Sequence, residues 1–158
     1  MKKIILSLAL ASFLFGCKTA AIKSDVNKCE VTIDLNNVKN DKVFVSINTP
    51  SFTSSSATFH IPKTVPGTYS EDDYGKYIED FKALDNKGNT LKFTKKDVNS
   101  YVIENANKLS KVTYLVNDTY DIEKGGGFGE SDDVFSPSGT NIDAGKNFML
   151  NLHGFIGY

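Results

Sequence analysis

Apolar side chains fall on every second position in one short run after another, and this period constrains the fold more than any other feature. Cys29, Val31, Ile33 and Leu35 alternate with Glu30, Thr32 and Asp34. Successive side chains of an extended chain point to opposite faces, so such a run reads as a strand with one face buried. After a polar turn cluster at 36–41, Val43, Val45 and Ile47 repeat the pattern. Further short runs at 58–61, 91–93, 101–103 and 111–116 are separated by a Pro/Ser/Thr stretch at 49–56, by Pro62, Pro66 and Gly67, and by a hairpin turn at 85–89. Gly88 can supply a positive φ in that turn. Residues 78–84 read as extended or as one short helix: Phe81 and Ala83 suit a strand, whereas Tyr74, Ile78 and Phe81 would also share a helical face. No long amphipathic helix and no repeat of fixed period is visible. The expectation is an all-β chain, an antiparallel β-sandwich over residues 29–158. Cys29, at the head of the first run, is expected to be a buried, inert thiol.

The first sixteen residues read as an address. Lys2 and Lys3 make a positive start, and residues 4–15 are almost wholly apolar. About twelve apolar residues are too few for a span, which needs about twenty. The segment closes with Leu14-Phe15-Gly16-Cys17, which resembles the lipobox of bacterial lipoproteins, although Phe15 is bulkier than usual at its position. That resemblance implies cleavage after residue 16 and a lipidated Cys17, with each buried methylene adding about 0.8 kcal/mol of membrane affinity. Residues 17–28 would then be a polar tether. The other reading is an ordinary secretory signal cut after Ala20; if Cys17 stays unlipidated, a Cys17–Cys29 bridge becomes possible. On both readings the protein leaves the cytoplasm, and on the first it is lipid-anchored to a bacterial membrane in the cell envelope.

Composition removes whole classes of function. The net charge is −1, and all 18 basic residues are lysine. Without arginine the chain lacks the planar fork that best reads guanine edges and clamps phosphate, so a nucleic-acid partner is not expected. His60 and His153 stand far apart, and neither lies in H-E-x-x-H. Each is expected to be a surface or hydrogen-bonded structural histidine. There is no G-x-S-x-G elbow, and Cys29 has no recognisable base. Residues 124–141 carry Gly125, Gly126, Gly127 and Gly129, then Glu130, Asp132 and Asp133. They lack the lysine-serine pair of a phosphate loop and the alternating spacing of a calcium loop, and so read as a flexible loop. No catalytic, cofactor-binding or metal-binding residue is assigned.

A longer pattern begins at Pro66. The run Pro66-Gly67-Thr68-Tyr69-Ser70-Glu71-Asp72-Asp73-Tyr74-Gly75-Lys76-Tyr77-Ile78 is followed by Phe81, Ala83, Asp85 and Gly88. It resembles the signature P-G-S-Y-x-x-R-D-F-x-R-x-V, then A-x-D-x-x-G, in the N-terminal domain of glycyl aminopeptidase-type zinc metallopeptidases. Val112-Thr113-Tyr114 with Val116, Phe135-Ser136-Pro137-Ser138-Gly139-Thr140-Asn141, and Asn151-Leu152-His153-Gly154-Phe155-Ile156-Gly157-Tyr158 extend the resemblance along nearly the whole mature chain. Asp72 and Lys76 stand where the family commonly has arginines, and Tyr101 where it often has tryptophan. The residues of the turn, Pro66, Gly67, Tyr69, Asp73 and Tyr74, are its candidate functional positions. Pro66 fixes φ and Gly67 permits a positive one, giving a tight turn that presents Tyr69. Tyr69, Tyr74 and Tyr77 would then line an exposed surface or seal the sandwich edge.

The resemblance implies a non-catalytic β domain ahead of a catalytic domain that carries H-E-x-x-H. Zinc is therefore expected only in that second domain, which residues 1–158 do not include. The run Phe148, Leu150, Leu152, Phe155, Ile156 and Tyr158 is apolar to the last residue, which leads to the expectation of a chain cut short of the domain that would cover it. The expected partners are the membrane, through Cys17, and a peptidase catalytic domain or a peptide. Two other functions compete: a stand-alone surface lipoprotein that binds a peptide or protein partner, and a purely structural envelope protein.

Overall fold

The computed structural model describes residues 28–66, 71–119 and 139–158. Cys17, Gly67, Tyr69 and the acidic trio Glu130, Asp132 and Asp133 lie outside the described residues. Among the described residues no helix is long and apolar enough to cross a membrane.

Strands β1 (Glu30–Lys39) and β2 (Lys42–Asn48) form a hairpin around Asn40 and Asp41, whose φ values are 52° and 54°. Two left-handed residues twist the turn in the same sense as its strands, and Asn and Asp tolerate that region best after glycine. β2 pairs with β8 (Leu109–Asn117), β8 with β4 (Ile78–Asp85), and β4 with the two-residue β5 (Thr90–Leu91). The result is a five-stranded antiparallel sheet in the order β1-β2-β8-β4-β5. A second sheet has three strands, β3 (Ser56–His60), β7 (Ser100–Glu104) and β6 (Phe93–Asp97), in that order. A small hairpin joins β9 (Asn141–Asp143) and β10 (Asn147–Met149), with Gly145 at φ 78°. The all-β sandwich expected from the alternation is the fold observed.

Aromatic rings join the two sheets. Phe81 of β4 stacks on Tyr101 of β7 with centroids 3.9 Å apart, meets Phe93 of β6 edge-on at 4.9 Å, and lies 5.6 Å from Phe59 of β3. Val43, Val45 and Ile47 of β2, with Val112, Tyr114 and Val116 of β8, fill the same layer and are all essentially buried. Asp85 closes the β4–β5 turn: its carboxylate accepts from the backbone N–H groups of Lys87 and Asn89, both at 2.8 Å, and from the Asn89 side chain at 3.0 Å. Those bonds, the Asn89 side chain's first, hold the carboxyl below its ordinary range.

One open reading is decided and two expectations change. Residues 78–84 are a strand throughout, although Ile78 and Phe81 are both buried at a helix-like spacing. The register slips between Glu79 and Lys82, and Asp80 sits at φ 48°. This bulge turns two residues three apart to one face. A similar irregularity between Asp34 and Lys39 leaves Leu35 37% exposed and turns Val38 inward instead. Cys29 is exposed rather than buried, because ladder pairing starts only at Glu30, on a strand at the sheet's edge.

The fold takes up the apolar run at 148–158 only in part, since Leu152, Ile156 and Tyr158 stay exposed. Phe155 is fully buried, and its carbonyl accepts from the Tyr114 hydroxyl at 2.6 Å. Tyr158 exchanges both backbone hydrogen bonds with His60, at 2.8 and 2.9 Å, adding one more rung at the β3 edge. Burial pushes the Tyr114 hydroxyl well above its ordinary range. The folded state therefore holds a proton that the unfolded chain gives up near pH 10, so this contribution to stability is whole below about pH 10 and falls above it by about 1.4 kcal/mol per pH unit. Tyr114→Phe is expected to cost about 1–3 kcal/mol at pH 7, since the Phe155 carbonyl loses its donor. The same variant should flatten the alkaline decline, which urea titrations of both proteins between pH 8 and 11.5 would measure.

Candidate functional site

Of the motif run that begins at Pro66, that residue and residues 71–78 are described, and the latter fasten it to the rest of the fold. Pro66 is exposed at its start. On its far side, Asp72 and Asp73 both donate their backbone N–H groups to the Lys63 carbonyl at 2.9 Å. Asp73 is left-handed (φ 49°) and leads into a 3₁₀ turn, Tyr74–Tyr77. Its carboxylate accepts from the Asn99 side-chain amide at 2.7 Å, while the Asn99 side-chain oxygen Oδ1 accepts from the Gly75 N–H at 2.8 Å. Asn99 thus fastens the turn to the connection between β6 and β7.

Gly75 makes that approach possible. A Cβ there would lie 2.1 Å from the Val98 carbonyl oxygen and 2.8 Å from the Asn99 Cα, both backbone atoms with little freedom to move. Gly75→Ala is expected to destabilise the domain by at least about 1–3 kcal/mol, the usual cost of overpacking. Asn99→Ala should lose a comparable amount through its two broken hydrogen bonds. Thermal melts of both variants check this.

Tyr74 is 1% exposed and Tyr77 4% exposed. Of the two roles open to them in the sequence, they take the sealing one. The Tyr74 hydroxyl donates to Asp72 at 3.3 Å and accepts from the Asn151 side chain at 3.1 Å. Gly154 packs over the same ring, where an added Cβ would come within 3.1 Å. Asp72, at the position where the family commonly has arginine, is therefore a nearly buried hydrogen-bond acceptor. Asn99 and Asn151, the partners that define this arrangement, were not singled out in the sequence. The one local hint is Asp97-x-Asn99, in which Asn99 donates its N–H to the Asp97 side chain at 2.8 Å.

The two histidines sit on different elements. His60, on β3, has Nδ1 3.0 Å from the Ser100 hydroxyl, and its ring stacks on Tyr158 at 5.5 Å. His153 is exposed in the 3₁₀ turn Leu152–Gly154. Among the described residues no three His, Cys, Asp or Glu side chains gather where they could hold a metal ion. The described residues therefore do not fit a zinc site.

Residues 30–158 match a protein family described as the peptidase M61 N-terminal domain. The chain belongs to that family. Among solved structures, this M61 N-terminal domain is similar to a crystal structure described as an aminopeptidase N family protein from Idiomarina loihiensis, at 20% identity and a TM-score of 0.52. The similarity covers 60% of this chain and only 16% of the other, so the shared part is the fold of one portion of a much longer protein. Comparison with curated proteins gives no significant match.

Proposed function

We propose that this chain is the non-catalytic N-terminal β domain of an aminopeptidase-like zinc metallopeptidase of the cell envelope, with Cys17 as its lipid anchor. On this reading the H-E-x-x-H catalytic domain lies outside residues 1–158, and the β domain supports it rather than acting on substrate. The observation that carries the reading is the family match across 30–158, since the matched family is by description a peptidase's N-terminal portion. The small share of the neighbouring structure that this fold occupies agrees with it. The burial of Tyr74 and Tyr77 also favours it over a stand-alone lipoprotein that grips peptides with a tyrosine-rich turn.

Two experiments test the halves of this proposal. The purified 158-residue chain, supplied with zinc, is expected neither to retain the metal stoichiometrically nor to release amine from glycine amides; doing both would overturn the non-catalytic assignment. Labelling growing cells with a fatty-acid analogue should mark the protein and fail to mark Cys17→Ser. Equal labelling of the two would dismiss the anchor.

A further inference from the structure

We infer that the motif turn at 73–77 and the stretch 151–158 are coupled into one conformational unit, because a closed ring of contacts runs through both. The Asn99 side chain holds the turn through Asp73 at 2.7 Å and Gly75 at 2.8 Å. Its backbone carbonyl accepts from the Ile61 N–H at 2.8 Å, and the neighbouring Ser100 hydroxyl lies 3.0 Å from His60 Nδ1. His60 exchanges both backbone bonds with Tyr158. From Tyr158 the chain leads back through Gly157, packed against Phe59, and the buried Phe155 to the 3₁₀ turn Leu152–Gly154. Asn151 caps that turn, its side-chain oxygen accepting from the His153 N–H at 3.1 Å, and its side-chain amide donates to the Tyr74 hydroxyl at 3.1 Å. Tyr74 belongs to the motif turn, so the ring closes where it began.

Four stretches far apart in sequence, 60–61, 73–75, 99–100 and 151–158, are thus each held from two sides. Three glycines leave the ring without slack. Gly75 lies against the backbone of Val98 and Asn99, Gly154 against the Tyr74 ring, and Gly157 against Phe59 and the His60 carbonyl. At each of these approaches a shift of one stretch displaces the next, since closely packed groups pass strain on instead of absorbing it. Groups of contacts tied in this way open together, as a local unit, and not one at a time. A change made at the motif turn is therefore felt at the β3 edge, where Tyr158 pairs with His60. The effect is reciprocal, because coupling between two places in one equilibrium has the same size in both directions.

A double-mutant cycle on the 158-residue chain tests the coupling. Asn99→Ala opens the ring on one side of the motif turn and Asn151→Ala on the other, and the two side chains bond to different partners. Each single variant is expected to raise the unfolding equilibrium constant, read from urea titrations, by about fivefold or more. Independent sites would multiply these factors in the double variant, to within about twofold. A ring already opened by the first substitution loses little from the second, so the double variant is expected to exceed the larger single effect by no more than about twofold. An increase equal to the product of the two single effects would overturn the inference. Should an alanine variant fail to fold, Ser100→Ala with Tyr74→Phe makes the same two openings by removing one hydroxyl each, and the same pair of outcomes decides.

Discussion

Phe81→Ala is expected to lower the stability of the domain by about 3–5 kcal/mol, the range for removing a buried phenylalanine. Phe81 is the ring that both sheets share: it touches Phe59, Phe93, Tyr101 and Tyr114, with the Tyr101 stack at 3.9 Å the closest. Its removal opens a void between sheets that are joined there mainly by aromatic faces, and β strands cannot collapse into it without losing register. A domain of this size has about 5–15 kcal/mol in total, so the loss would consume a large part of it. Urea unfolding checks the value. Phe81→Leu, which refills part of the volume, should recover a substantial share of the loss. A loss below about 1 kcal/mol, the scale of a surface substitution, would mean that the sheets are not packed through this ring.

Phe155→Ala is expected to cost a similar amount, about 3–5 kcal/mol, because the side chain is wholly buried although it stands near the end of the sequence. Gly157→Val should be nearly as damaging. Its Cβ would meet Phe59 at 2.2 Å and the His60 backbone oxygen at 2.6 Å, and the latter is fixed by its bond from the Tyr158 N–H. Tyr158→Ala makes the contrast. Its ring is 77% exposed, and its backbone pair survives the substitution, so a change of less than about 1 kcal/mol is expected. The three melts together test whether residues 155–158 are an integral part of the sandwich. Equal, small effects from all three would show that they are not.

The strands were legible because their signal is local. Val43, Val45 and Ile47 announce a buried face within five residues, and the pairing of β2 with β8 confirms it. The bulges were not legible, because Asp80 takes a left-handed conformation that its neighbours do not signal, and one slip moves Ile78 and Phe81 to the same face. The exposure of Cys29 depends on which strand lies at the sheet's edge, a property of topology rather than of the run itself. The motif run from Pro66 reads as a turn in the sequence, but what its described residues 71–77 do depends on partners distant in sequence. Asn99 is 26 residues from Asp73, and Asn151 is 77 from Tyr74. The apolar last residues were expected to need a cover, and the fold answers for Phe155 and leaves Leu152 and Ile156 outside.

We propose that this β domain belongs to a larger, membrane-anchored peptidase. The most direct measurement is the intact mass of the native product, captured from the membrane fraction with an antibody against residues 28–119. The expected species is several-fold larger than residues 17–158 and carries acyl chains on Cys17. A species of those residues alone would contradict it and identify a stand-alone lipoprotein.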